Sequence, residues 1–152
     1  MVKTVKSILV FLIAFSIMLL SVSCGSSGPA GPRDAVIELF GAMEKDDQAA
    51  LAHLLDLTAL MKNSEFDYAL KTEDEPRQFT SPIEILEDMT GEGLTKKRWF
   101  SFQRIVSEVE MFGETATVEV TFVDKKSSEG YRTKFGVHVV NDKWKIYTFK
   151  VE

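Results

Sequence analysis

Two histidines, 23 acidic residues and one cysteine make up most of the chain's stock of groups for acid–base, metal or covalent chemistry. His53 stands three residues before Asp56 in a stretch with helical spacing, which would suit a general acid–base pair on one helix face. Asp67 and Tyr68 lie further along the same helical part, but a surface or hydrogen-bonded histidine is the better reading of His53. His138 shares a strand face with Lys134 and opposes Phe135, Val137 and Val139, a solvated or interface position rather than a catalytic one. Two histidines in separate regions, without a cysteine cluster, give no metal-ligand spacing. Glu73-Asp74-Glu75 lacks a surrounding calcium-loop pattern and reads as a solvated acidic run. The expectation is no catalytic residue, no metal and no cofactor.

The cysteine points to a different chemistry. Lys3 and Lys6 open the chain, Ser7 to Val22 is an uncharged run dominated by Ile, Leu, Val, Phe and Met, and Cys24 follows directly after Ser23. A basic start, an apolar run and small residues before a cleavage point mark an export signal. Leu20-Ser21-Val22-Ser23-Cys24 resembles a bacterial lipobox, with Val22 and Ser23 in position and the usual leucine displaced by one to Leu20. A lone cysteine in an exported protein has no intramolecular disulfide to make. Acylation gives it a use, because several chains at about 0.8 kcal/mol per buried CH₂ anchor stably where one chain is marginal. The competing reading is an uncleaved anchor, the 16-residue uncharged run being just short of a membrane span. Residues 1–23 are therefore expected to be a lipoprotein signal peptide, residues 24–31 a flexible tether rich in glycine and serine, and residues 32–152 the folded domain. The lipobox resemblance further implies an exported, lipid-anchored envelope protein. Gly25 stands where an aspartate commonly retains lipoproteins at the inner membrane, which implies the periplasmic side of the outer membrane in a diderm organism.

Composition sets the class of the rest. With 45% hydrophobic and 27% charged residues, the chain is ordinary globular material of about one domain. Without residues 1–23, which hold two lysines and no acidic residue, the remaining 129 residues carry a formal net charge of −7. That argues against a partner held by phosphate neutralisation. The charge is unevenly divided: residues 34–92 carry 15 acidic and 4 basic side chains, residues 93–152 carry 8 and 11. Lys96-Lys97-Arg98 with Trp99, Phe100 and Phe102 has the look of a nucleic-acid stretch, but reads better as a basic strand entrance followed by core aromatics. No nucleic-acid partner is expected, and the two halves could attract each other or a second copy.

The elements that must position these groups change period midway. Val36, Leu39, Phe40 and Met43 stand at helical spacing after Gly31 as N-cap, Pro32 in the first turn and Asp34 beside the helix dipole. Asp46 or Asp47 can cap a second helix carrying Ala50, Leu51, Leu54 and Leu55. A third helical stretch runs from about Thr58 to Leu70, with Leu60, Met61 and Tyr68 on a shared face, before a charged loop from Lys71 to Arg77. Ser81-Pro82-Ile83-Glu84 reads as a capping box opening a short helix ended by Gly91 and Gly93. From there the spacing predicts strands: Lys97 to Phe112, then Thr115 to Asp124 after a Gly113-Glu114 link, then about Tyr131 to Val140, and Lys143 to Val151 after an Asn141-Asp142 turn. In the second strand Ala116, Val118, Val120 and Phe122 share one face. In the last, Trp144 and Ile146 face the helices, leaving Tyr147, Phe149 and Val151 on the other side.

Helices followed by a four-stranded meander make an α+β layout. Pro32-Arg33-Asp34-Ala35-Val36, the helix–break–helix from Met43-Glu44-Lys45-Asp46-Asp47 to Leu55, and the closing Trp144-Lys145-Ile146 resemble the nuclear-transport-factor-2-like superfamily with its cystatin-like fold. More narrowly, they resemble its small bacterial lipoproteins of unknown function, some carrying a lumazine-binding-like label. The resemblance implies N-terminal helices packed on a curved four-stranded antiparallel sheet, a cone with an interior pocket. The superfamily holds isomerases, dehydratases and binding modules, so fold alone chooses no activity. The expected function is a membrane-anchored, non-catalytic module that binds a small apolar ligand or a protein, with a homodimer or an envelope protein as possible partner. Tyr68, Trp99, Tyr147 and Phe149 are the aromatic residues expected to meet that ligand or partner. The alternative is a pocket enzyme of the isomerase or dehydratase type, which would need a buried carboxylate with a tyrosine or histidine nearby.

Overall fold

A computed structural model describes residues 28–63 and 79–150. Residues 1–23, where an export signal is expected, Cys24, Tyr68, the Lys71–Arg77 loop with its acidic run, and Val151 lie outside the described residues. Helix α1 spans Pro32–Glu44; Gly31 caps it in an extended conformation, Pro32 fits the first turn, and Asp34 lies beside the positive end of the dipole. Its buried face holds Val36, Leu39, Phe40 and Met43, as the spacing predicts. Asp46, with a left-handed φ of 57°, reverses the chain. The Asp47 carboxylate then caps α2 (Gln48–Leu54), accepting from the Ala50 N–H at 2.9 Å.

After α2 the chain extends for one residue, and Leu55 pairs in parallel with Ile146 at the sheet margin. Asp56 immediately caps α3 (Leu57–Lys62). Helix α4 (Pro82–Asp88) starts on Ser81, whose hydroxyl accepts from the Glu84 N–H at 3.4 Å; Glu84 reaches back to Thr80 rather than to Ser81, binding its N–H at 2.8 Å and its hydroxyl at 2.6 Å. Among the described residues no helix is long and apolar enough to cross a membrane.

Where a strand was expected from Lys97, the chain forms a further helix, α5 (Leu94–Ser101), and β1 begins only at Phe102. The cause is local. Asp88, 5% exposed, accepts hydrogen bonds from the Leu94 N–H and the Thr95 hydroxyl, so a carboxylate six residues upstream caps the helix. Gly93 permits the tight α4–α5 turn, since a Cβ there would stand 2.1 Å from the Asp88 carbonyl oxygen. The helix then buries Thr95 and Trp99.

Strands β1 (Phe102–Phe112), β2 (Thr115–Asp124), β3 (Gly130–Val140) and β4 (Lys143–Thr148) form an antiparallel meander in the order β1-β2-β3-β4. The domain is thus α+β, with helices on one face of a four-stranded sheet. Gly113 (φ 66°) makes the first link, and Asn141 (φ 51°) with Asp142 (φ 60°) makes a two-residue turn that needs two left-handed residues. Ala116, Val118, Val120 and Phe122 from β2, Phe135 and Val137 from β3, and Ile146 from β4 are buried beneath the helices. The space between the layers is filled by rings: Trp99 has Phe149, Phe135, Phe122 and Phe40 at centroid distances of 5.1, 5.5, 5.6 and 5.8 Å.

The last strand departs from simple alternation. Val137 pairs with Ile146 but Gly136 pairs with Thr148, which leaves Tyr147 as an extra residue, a β-bulge. The extra residue shifts the alternation, so Phe149 enters the core at 4% exposure instead of joining Tyr147 outside. The Thr133 hydroxyl fixes this path by donating to the Phe149 carbonyl at 2.7 Å. Ile146 takes the expected buried position, whereas Trp144 is only half-buried at the core margin.

Trp99 and not Trp144 is therefore the keystone tryptophan. Trp99→Ala should cost about 3–5 kcal/mol. Trp144→Ala should cost distinctly less, both read from urea unfolding of residues 24–152. The reverse ranking would contradict this packing.

Candidate functional site

The bulge that sends Phe149 inward turns Tyr147 outward. Its ring lies over Gly136, where a Cβ would approach the ring carbons to 2.6 Å, so only glycine leaves room for it. The ring also leans on the His138 imidazole, 4.7 Å between centroids and 39° from parallel. On the other side of His138 stands Asp56, delivered to the sheet by the Leu55–Ile146 pairing and by the Asp56 N–H donating to the Ile146 carbonyl at 2.9 Å. The two oxygens of its carboxylate have separate tasks. Oδ1 accepts from the Ala59 N–H at 3.0 Å, and Oδ2 lies 2.9 Å from His138 Nε2.

Facing a carboxylate oxygen, His138 Nε2 is the donor of this hydrogen bond. The side chains of Asp56 and His138 are 23% and 26% exposed, so the pair is partly desolvated yet reachable. Asn63 Nδ2 donates to the Tyr147 carbonyl at 3.2 Å, and Lys145 Nζ donates to the Leu55 carbonyl at 3.4 Å. Chemically the group can orient an imidazole and offer a polar and aromatic face to a partner.

The aromatic residues singled out in the sequence do not converge. Trp99 and Phe149 are core, Tyr147 is on the outer sheet face, and Tyr68 lies outside the described residues. His53 is exposed at the end of α2, and the partner of Asp56 is His138, 82 residues away, rather than His53. The interior beneath the sheet is lined by aromatic and aliphatic side chains. Asp88 is the buried carboxylate among the described residues, and its contacts with Leu94 and Thr95 give it a capping role. An open hollow of about 330 Å³ lined by Phe79, Glu84, Glu87, Asp88, Glu92 and Leu94 is acidic, with Glu84 held by Thr80 and Glu92 by Lys97.

The basic run is likewise drawn into the fold. Lys96 pairs with Asp46, whose carboxylate also accepts from the Gly91 N–H, and Lys97 pairs with Glu92 at 2.6 Å. The acidic and basic halves of the chain thus meet within one molecule. The Lys96 hydrogen bond and then the Gly91 N–H hold Asp46 below the usual carboxylate range. The Lys97 hydrogen bond does the same for Glu92, hydrogen bonds from Thr80 for Glu84, and the Ser127 and Lys126 N–H groups for Asp124. A carboxylate whose pKa is lowered by folding stabilises the fold fully above its ordinary value, and that contribution is lost as the pH falls through the folded value. Thermal unfolding should accordingly show a Tm that is steady at neutral pH and falls below pH of about 4. A Tm that rises on acidification through that range would contradict these contacts.

No protein-family model matches the chain, and no curated protein matches it. Among solved structures it is similar to one named Rd1NTF2_05, at 13% identity and a TM-score of 0.49, over 78% of this chain and 93% of that one. It is also similar to a protein described as an NTF2-like transpeptidase from Campylobacter jejuni, at 12% identity and a TM-score of 0.45, over 77% of this chain and 97% of that one. No activity passes from either protein to this one.

Proposed function

We propose that this chain is an exported, lipid-anchored envelope protein whose domain works by binding on the outer face of its sheet, with a second copy of itself as the partner. The observation that carries the reading is the ring-packed interior among the described residues. Trp99, Phe40, Phe122, Phe135 and Phe149 occupy the space under the sheet with apolar surface, while the imidazole, carboxylate and tyrosine that could recognise a partner stand outside. Among the described residues Asp34 is exposed, Asp56 faces His138 and the buried Asp88 caps α5, so none of the three is an acid–base group of that interior.

The outer face is self-complementary in charge. Glu110 and Glu119 stand on the β1–β2 side, and Arg132, Lys134 and Lys145 on the β3–β4 side; Glu110 and Lys134 already pair at 3.1 Å within one molecule, which leaves Glu119, Arg132 and Lys145 for the second copy. A two-fold axis parallel to the strands would set the acidic side of one copy on the basic side of the other, with Tyr147 between them. Cys24 after the apolar run supports the lipid anchor, and Gly25 supports the periplasmic side of the outer membrane in a diderm organism. The order of helices before a four-stranded meander supports the nuclear-transport-factor-2-like reading and, more narrowly, its small lipoproteins with a lumazine-binding-like label. The Asp56–His138 pair favours one second reading, an acid–base site on the sheet surface of the isomerase or dehydratase kind.

Sedimentation of the mature domain tests the first reading. The wild type should self-associate, more weakly as salt is raised, and Tyr147→Ser with Lys145→Glu should shift it to monomer while far-UV circular dichroism stays unchanged. A wild-type domain that remains monomeric at all accessible concentrations would overturn the second copy as partner.

A further inference from the structure

We infer that the sheet end carrying the β1–β2 and β3–β4 turns rests on the bilayer, with Met111 and Phe112 entering the lipid interface. The inference depends on Cys24 being the lipid anchor, as proposed above. Gly28, where the described chain begins, lies against the Lys143 side chain, its Cβ position 3.5 Å from Lys143 Cγ. Lys143 opens β4 directly after the Asn141-Asp142 turn. Cys24 is four residues before Gly28. At no more than about 3.6 Å per residue, its Cα cannot be further than ~14 Å from that of Gly28. An acylated Cys24 therefore holds this end of the domain, and no other, within reach of the headgroups.

The meander brings the Gly113-Glu114 turn to the same end, and the Val139 N–H donates to the Glu114 carbonyl at 3.0 Å, tying the two turns together. Beside that turn stand two large apolar side chains that the fold leaves in solvent, Met111 at 53% and Phe112 at 61% exposure. Adjacent in a strand, they project to opposite sides of the hairpin tip. Exposed apolar groups gathered at one place call for a cover, and the bilayer reached by a short tether supplies one. Lys143 is accompanied here by Glu114 and Asp142, so the contact rests on apolar insertion rather than attraction to anionic lipid. The Lys125–Glu129 loop between β2 and β3 is at the opposite end. Ten residues of β2 at about 3.3 Å each place it ~30 Å away.

The test uses the full acylated chain in vesicles of phosphatidylethanolamine and phosphatidylglycerol containing nitroxide-labelled lipid. An environment-sensitive fluorophore is attached at Phe112→Cys or, separately, at Ser127→Cys; the acylated thiol of Cys24 does not react. Position 112 should show blue-shifted emission, quenched several-fold more than position 127. Equal quenching at both positions on vesicle-bound protein would overturn the orientation while leaving the anchor intact. A blue shift at 112 without lipid quenching would mean that protein covers the tip, and would also overturn it. If Cys24→Ser floats with the vesicles as fully as the wild type, the anchor reading itself fails and the inference falls with it.

Discussion

The packing of Trp99 against four phenylalanine rings is the interaction on which the rest of this domain depends. It requires α5 to exist, because only a helix leaving the Asp88 cap brings the indole under the sheet. It requires Phe149 to turn inward, which the bulge at Tyr147 accomplishes. The indole Nε1–H is buried without a hydrogen-bond partner among the described residues. An orphan donor of this kind typically costs about 1–3 kcal/mol. The surrounding ring burial offsets that cost, since an aromatic side chain of this size removes 150–250 Å² from water at roughly 25 cal/mol per Å².

Filling the interior has a consequence for the surface. The same extra residue that sends Phe149 into the core puts Tyr147 on the outer face, over a glycine and against an imidazole. One backbone irregularity thus completes the core and builds the polar and aromatic group outside it. Asp56 joins the two levels as well. Its carboxylate starts α3 and orients His138, so the helix junction and the sheet face are fixed by a single side chain. Bulges commonly re-aim side chains in this manner at edges and sites.

Much of this was legible in the sequence. Pro32 with Asp34, the Asp47 cap, the alternation from Ala116 to Phe122, and the turns at Gly113-Glu114 and Asn141-Asp142 all carry local signals, and local physics decides them. Helix α5 was not legible, because an aromatic-rich run suits a strand or a buried helix face and its cap lies outside the run. Nor was the position of Phe149, since a bulge changes which face a residue takes without marking the composition. The Asp56–His138 pair depends on a one-residue parallel bridge, and nothing near His53 could have redirected Asp56 to a partner 82 positions away.

The central claim is that the domain's interior is occupied by its own side chains and that its work is done outside. Native mass spectrometry of residues 24–152, purified without denaturation, tests it most directly. The account predicts peaks at the mass of the polypeptide and its multiples, with no added small molecule. A stoichiometric apolar adduct that quenches Trp99 fluorescence and is lost on unfolding would contradict it.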